Sequence, residues 1–207
     1  GDTGTNMAFT MIAILDGTTN RVHRRVDKML SLIADSALDG ARGNSGAILA
    51  QFFQGLSDGV ADHYQITTTA FAKALKTASE YSRDALSEPV EGTILTVIED
   101  FSKKINGLVK EGVDDFTILL TVGVAEAERS LENTPNLMKV LKRAGVVDAG
   151  AKGFVDFLQG VHDYIRHGSL REDDTFVPII PTDESKAIDY DPGNLTYQYC
   201  TECLITG

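Results

Sequence analysis

The sequence predicts an all-α protein, an antiparallel bundle or barrel of about eight helices. Three observations predict it. Apolar residues recur at helical spacing through most of the 207 residues. Several of these runs begin just after Gly, Thr or Asp, where helix N-caps belong. No stretch before position 190 reads convincingly as a strand.

Taken in order, Met7 to Leu15 is short and apolar. Asn20 to Leu38 places Val22, Val26, Met29, Ile33 and Ala37 at helical spacing, with basic residues early in the run. Asn44 to Leu56 carries Ile48, Leu49, Phe52 and Phe53. Thr68 to Leu86 carries Phe71, Leu75, Ala78, Tyr81 and Ala85 near one face. Thr93 to Val109 is amphipathic through Ile94, Val97, Ile98, Phe101, Ile105 and Leu108. Asp114 to Leu131 opens on an acidic pair at the positive end of a helix dipole. Thr134 and Pro135 read as N-cap and first position of a helix running to about Ala144. The last helix spans about Ala149 to His167.

Residues 1–168 thus form the expected domain. Residues 169–192 hold seven acidic residues with Pro178, Pro181 and Pro192, the composition of a linker. Residues 193–207 begin something else: Leu195 to Thr206 reads as a lone strand, which needs partners elsewhere. The absence of an initiator Met before a Gly-rich opening leads us to expect residues upstream of Gly1.

Composition narrows the function. Nineteen Lys and Arg stand against 30 Asp and Glu, a formal net charge of −11. That argues against nucleic acid, whose phosphates are neutralised by clustered Lys and Arg, and against a general hold on anionic lipid. The best apolar stretch, Phe116 to Ala127, is broken by Thr117, Thr121, Gly123 and Glu126, short of the roughly 18 apolar residues of a membrane span. Two Cys suit a reducing cytoplasm rather than a disulfide scaffold.

Four Gly-rich segments carry the chemistry. Gly1-Asp2-Thr3-Gly4-Thr5-Asn6-Met7 places small residues at a helix start, where free N–H groups attract phosphate, beside an Asp of the type Mg²⁺ prefers. It reads equally as a turn before an Asn-capped helix. Gly40-Ala41-Arg42-Gly43-Asn44-Ser45-Gly46 spends three glycines in seven residues before the next helix, more than an ordinary connection requires. Asn44 and Ser45 can cap that helix or face an anion. In Glu91-Gly92-Thr93 the Thr is best read as an N-cap. In Val147-Asp148-Ala149-Gly150-Ala151-Lys152-Gly153, Asp148 is first an N-cap and second a contact for a ribose or base. If these helix starts share one end of the bundle, they make an anion pocket.

In this order, GDTGTNM, GARGNSGAILAQFFQG, EGTILTVIED and GVVDAGAKGF resemble the nucleotide-binding domain of the dihydroxyacetone-kinase L-subunit (DhaL) type over residues 1–168. More closely, they resemble the ATP-binding subunits of bacterial fatty acid kinases, the FakA type. The distinction rests on Thr3, where the dihydroxyacetone enzymes usually carry His in a GDGDHG pattern. The resemblance implies an eight-helix barrel with ATP or ADP at one end and Mg²⁺ held by aspartates of the first motif, of which Asp2 is the last. It places Asp2 and Thr5 in the catalytic role and Asp2 on the metal. It places Thr3, Gly4, Thr5, Asn6, Asn44, Ser45, Gly46, Thr93, Asp148 and Gly150 around the nucleotide. It also implies a fatty-acid-carrying partner of the FakB type and a homodimer through further domains. A dihydroxyacetone-kinase subunit and a non-catalytic nucleotide sensor are the alternatives.

The remaining candidates are weaker. His23, His63, His162 and His167 lie outside the Gly motifs, and His162 and His167, five apart, do not share a helix face as a metal pair would. The run Arg21, His23, Arg24, Arg25, Lys28 reads first as a solvated helix face. Cys200 and Cys203 form one C-x-x-C, half of a structural zinc site, and default to partly buried thiols.

Overall fold

The computed structural model describes residues 3–168. Asp2, the 169–192 linker, the strand expected after Leu195 and the Cys200–Cys203 pair lie outside the described residues. Eight helices are described: α1 (Thr3–Thr18), α2 (Val26–Asp39), α3 (Gly43–Gly59), α4 (Thr68–Asp84), α5 (Ile94–Lys110), α6 (Phe116–Leu137), α7 (Lys139–Ala144) and α8 (Ala149–His167). The described part is all-helical, as its periodicity requires.

From α1 to α6 each helix packs on the next, α6 packs on α8, and α8 closes the ring against α1. Short connections between packed neighbours turn the chain back on itself. The starts of α1, α3 and α5 therefore share one end, and the short α7 lets α8 begin there too.

The ring closes around aromatic side chains. Phe52 of α3, Phe101 of α5 and Phe154 of α8 are each at most 2% exposed. The Phe154 ring meets Phe52 edge-on at 5.1 Å and Phe101 at 6.3 Å. Such geometry sets the positive ring edge against the negative face. One residue of α8 thereby fixes the spacing of three helices that start at the same end.

Three boundaries differ from the sequence expectation. Helix α1 begins at Thr3, so Thr3 to Asn6 are its first turn rather than a loop before Met7. Helix α2 begins at Val26: Asn20 takes a left-handed backbone (φ 61°), and Val22 is 83% exposed. Of the basic run, only Lys28 stands on the helix; Arg21 to Arg25 precede it. Arg25, at the N-cap position, grips Asp27 in the first turn of α2 through two bonds, 3.0 and 2.6 Å, and holds its carboxyl below the ordinary range.

The third correction is Thr134–Pro135. They do not open a helix: α6 runs through them to Leu137 with Pro135 inside, and the separate helix is only Lys139–Ala144. Proline removes the N–H that would bond the Leu131 carbonyl. The Thr134 hydroxyl donates to that carbonyl instead, at 2.8 Å, so the helix survives the proline.

Replacing Phe154 with Ala would leave a cavity touching three helices. We expect a loss of about 3–5 kcal/mol in urea unfolding.

Candidate functional site

At the end where α1, α3, α5 and α8 start there is a cleft of about 240 Å³. It is lined by Thr3, Asn44, Ser45, Thr93, Asp148 and Gly150, which come from all four Gly-rich segments. Its other wall is Ile48, Leu86, Val90, Ile94 and Met138, with Glu88 at the side. Gly4, Thr5, Asn6 and Gly46 are not among its lining residues. Gly46 is buried against Thr10 and Ala41.

The helix starts are not equivalent. Asp148 is the N-cap of α8, where its Oδ1 accepts the Ala151 N–H at 2.8 Å. The same Oδ1 accepts the Ile94 N–H of α5 at 3.0 Å. One carboxylate oxygen thus satisfies two helix N-termini, each carrying partial positive charge. Thr93 completes the cap of α5: its hydroxyl accepts from Leu95 N at 3.4 Å and donates to the Val90 carbonyl at 2.7 Å. The N-cap readings of Asp148 and Thr93 therefore hold, and both side chains are engaged within the protein. Gly150 stands where a Cβ would lie 3.4 Å from Ile94 Cβ and 3.5 Å from Thr3 Cγ2, so α1, α5 and α8 meet at that point.

Helix α3 is open. Its N-cap position is Arg42, with no side-chain cap, and the Arg42 guanidinium lies over the Phe9 ring at 4.9 Å. Asn44 and Ser45 do not cap it, contrary to one of their two expected roles. Gly43 is left-handed (φ 56°), and a Cβ there would stand 2.5 Å from Asn6 Nδ2. The left-handed backbone favours glycine, and a Cβ would also push the Asn6 amide aside. The Gly46 N–H returns to the Arg42 carbonyl at 3.1 Å, which leaves the first turn of α3 presented at the cleft through Asn44 and Ser45.

A network missed at the sequence level holds the third motif. Glu91 accepts the Thr96 hydroxyl at 2.7 Å and the Arg83 guanidinium at 2.7 Å, and Thr96 accepts the Gly92 N–H at 2.9 Å. Arg83 also reaches Glu99 at 3.4 Å. The Thr96 hydroxyl first, and then Arg83, hold the Glu91 carboxyl below its ordinary value. The only advance signal was the Glu beside Gly92-Thr93. The apolar wall gave none, because Ile48, Leu86 and Met138 meet only through the fold.

Among the described residues, no group of three or more His, Cys, Asp and Glu is placed to hold a metal ion. No described helix is long and apolar enough to cross a membrane. His162 lies between α6 and α8, 2.9 Å from the Thr121 hydroxyl, and none of the four His lines the cleft.

Two outcomes follow from the caps. Asp148→Ala removes both and costs about 2 kcal/mol in urea unfolding, whereas Asp148→Asn, an equally good cap, costs well under ~1 kcal/mol. The lowered Glu91 value means that its stabilisation is present above about pH 4.5 and is lost as pH falls through the folded-state value. Glu91→Gln should therefore flatten the acid limb of a stability–pH curve and leave its neutral region sloping as in the parent.

The comparisons with known proteins agree with this architecture. The family model for the DAK2 domain matches residues 1–163. Protein YloV of Bacillus subtilis is 41% identical over 77% of this chain. An uncharacterized protein of Staphylococcus saprophyticus is 34% identical over 99% of it, and one of Staphylococcus aureus strain USA300 is 33% identical over 99%. The chain spans 38% of the length of each staphylococcal relative and 29% of YloV. With a family model covering most of its length and relatives above 30% identity, the chain belongs to the DAK2 domain family.

Proposed function

We propose that this domain binds Mg-ATP in the four-motif cleft and transfers the γ-phosphate to a fatty acid carboxylate presented by a separate carrier protein. The observation that carries the reading is the convergence of four helix starts on one cleft, with α3 left uncapped. Open helix N-termini bind phosphate through backbone N–H groups. The apolar wall of Ile48, Leu86, Val90, Ile94 and Met138 suits a flat base. The nucleotide therefore fits the residues present. The phosphates belong at Gly43 to Ser45, and the base belongs toward Met138 and Gly150.

The metal is a separate matter. Glu88 and Asp148 are the carboxylates lining the cleft, and Asp148 Oδ1 is taken by two backbone N–H groups. We assign Mg²⁺ to Asp2, which lies outside the described residues, and derive no step through it. When bound, such an ion neutralises charge on the transferred phosphoryl group.

The acceptor is argued from chemistry. A carboxylate is already ionised at neutral pH, with a reference pKa of about 4–5, so no base is needed. One of its oxygens bonds to the γ-phosphorus, the bond to the β,γ-bridging oxygen breaks, and ADP leaves with that electron pair. The chain's own part is positioning and N–H donation to the phosphoryl oxygens. Thr3, which lines the cleft, is proposed as the second phosphate contact, and on the resemblance alone Gly4, Thr5 and Asn6 join it, with the Thr5 hydroxyl on the transferred group. The resemblance to fatty acid kinase subunits supports the acyl acceptor, and Thr3 in place of His disfavours dihydroxyacetone.

The test is direct. The full-length parent protein, given a fatty-acid-loaded carrier and Mg-ATP, should release ADP and acyl phosphate. Consumption of ATP with dihydroxyacetone but not with oleate would overturn the acyl assignment. Gly43→Ala, strained at φ 56° and displacing the Asn6 amide, should weaken Mg-ATP binding at least about tenfold in calorimetry.

A further inference from the structure

We propose that Thr134 and Pro135 form a positioning joint for the nucleotide cleft, an inference that rests on the function proposed above. Neither residue belongs to the four Gly-rich segments. Thr134 is fully buried near the end of α6. Its hydroxyl has one proton, which it donates to the Leu131 carbonyl at 2.8 Å. A lone pair of the same oxygen accepts the backbone N–H of Asp148 at 3.1 Å. Its carbonyl accepts the N–H of Met138, in the cleft wall, at 3.1 Å. Gly92 of the third motif lies against the same carbonyl: a Cβ there would stand 3.1 Å from it and 2.9 Å from Met138 Cγ. One buried residue thus bonds the fourth motif and a wall residue of the cleft and lies against the third motif.

Pro135 makes the hydroxyl's bond to Leu131 count for more than an ordinary back-bond. Hydroxyls elsewhere in the fold, such as Thr18 onto Ile14 and Ser82 onto Ala78, make the same back-bond where no proline follows, but here the Leu131 carbonyl has no N–H from residue 135 and the hydroxyl replaces that donor. Proline has no N–H, so the Thr134 proton is committed to Leu131 and the oxygen faces Asp148. Asp148 is in turn the residue whose Oδ1 holds Ile94 and Ala151. The joint acts on the cleft through Asp148 and Met138, not by touching a ligand.

The pair of functions can be separated by mutation. In the full chain, Thr134→Val keeps the shape and removes the hydroxyl; Thr134→Ser keeps the hydroxyl. Three readouts are needed: thermal unfolding, amide hydrogen exchange at Ile94 and Ala151, and calorimetric affinity for Mg-ADP. Thr134→Val should lower Tm, speed exchange at both amides about tenfold and weaken Mg-ADP about tenfold, the scale of one lost hydrogen bond. Thr134→Ser should resemble the parent. Adding Pro135→Ala to Thr134→Val gives Leu131 a partner again, so Tm should recover while exchange and affinity stay impaired. If Thr134→Val alone does not fold, this double variant carries the comparison. Parent-like affinity in the folded Val variant, or affinity that recovers together with Tm, overturns the joint. A parent chain that binds no Mg-ADP overturns the nucleotide reading itself, and the joint's positioning role with it.

Discussion

A single carboxylate oxygen organises the working end of this domain. Asp148 Oδ1 accepts backbone N–H groups from the starts of both α5 and α8. Two helix N-termini side by side each present unpaired donors and partial positive charge, and they repel unless something anionic lies between them. An internal carboxylate does this without a ligand. It fixes the distance between the two helices at one end, and Phe154 against Phe101 fixes it in the interior. Phe52 extends the same contact to α3, so the open helix start is set relative to the capped ones.

This arrangement divides three of the four Gly-rich segments by role. Those of α5 and α8 satisfy their own helix starts, and α3 has no side-chain cap. The cleft therefore has a self-contained wall and an open donor turn. It also resolves an apparent conflict in the charge. A chain of net charge −11 has no obvious electrostatic attraction for a polyphosphate. Backbone N–H donors need no Lys or Arg, and none lines the described cleft.

Helix existence was legible because the apolar period is local and α3, α4, α5 and α8 bury one face each. The failures were also local in origin. The expected run opens at Asn20, where the chain turns left-handed, and takes in Val22 before the helix begins at Val26, and nothing in apolar spacing reports that turn. Thr134–Pro135 has the letters of a helix start, but the hydroxyl replaces the missing N–H, which only the folded chain reveals. At the site, the polar half was readable because glycines and caps leave short signatures. The apolar half was not, since Ile48, Leu86 and Met138 come from separate segments and are ordinary apolar letters in each. Nor could spacing tell an occupied helix start from an open one: the Asp148–Ile94 bond joins residues 54 apart.

The most direct test of this account is a crystal structure of the chain with Mg-ADP. The β-phosphate should lie against the backbone N–H groups of Gly43, Asn44 and Ser45, with Asp148 still bonded to Ile94 and Ala151. Phosphate bound instead to the Ile94 and Ala151 amides, with the Asp148 carboxylate displaced, would contradict it.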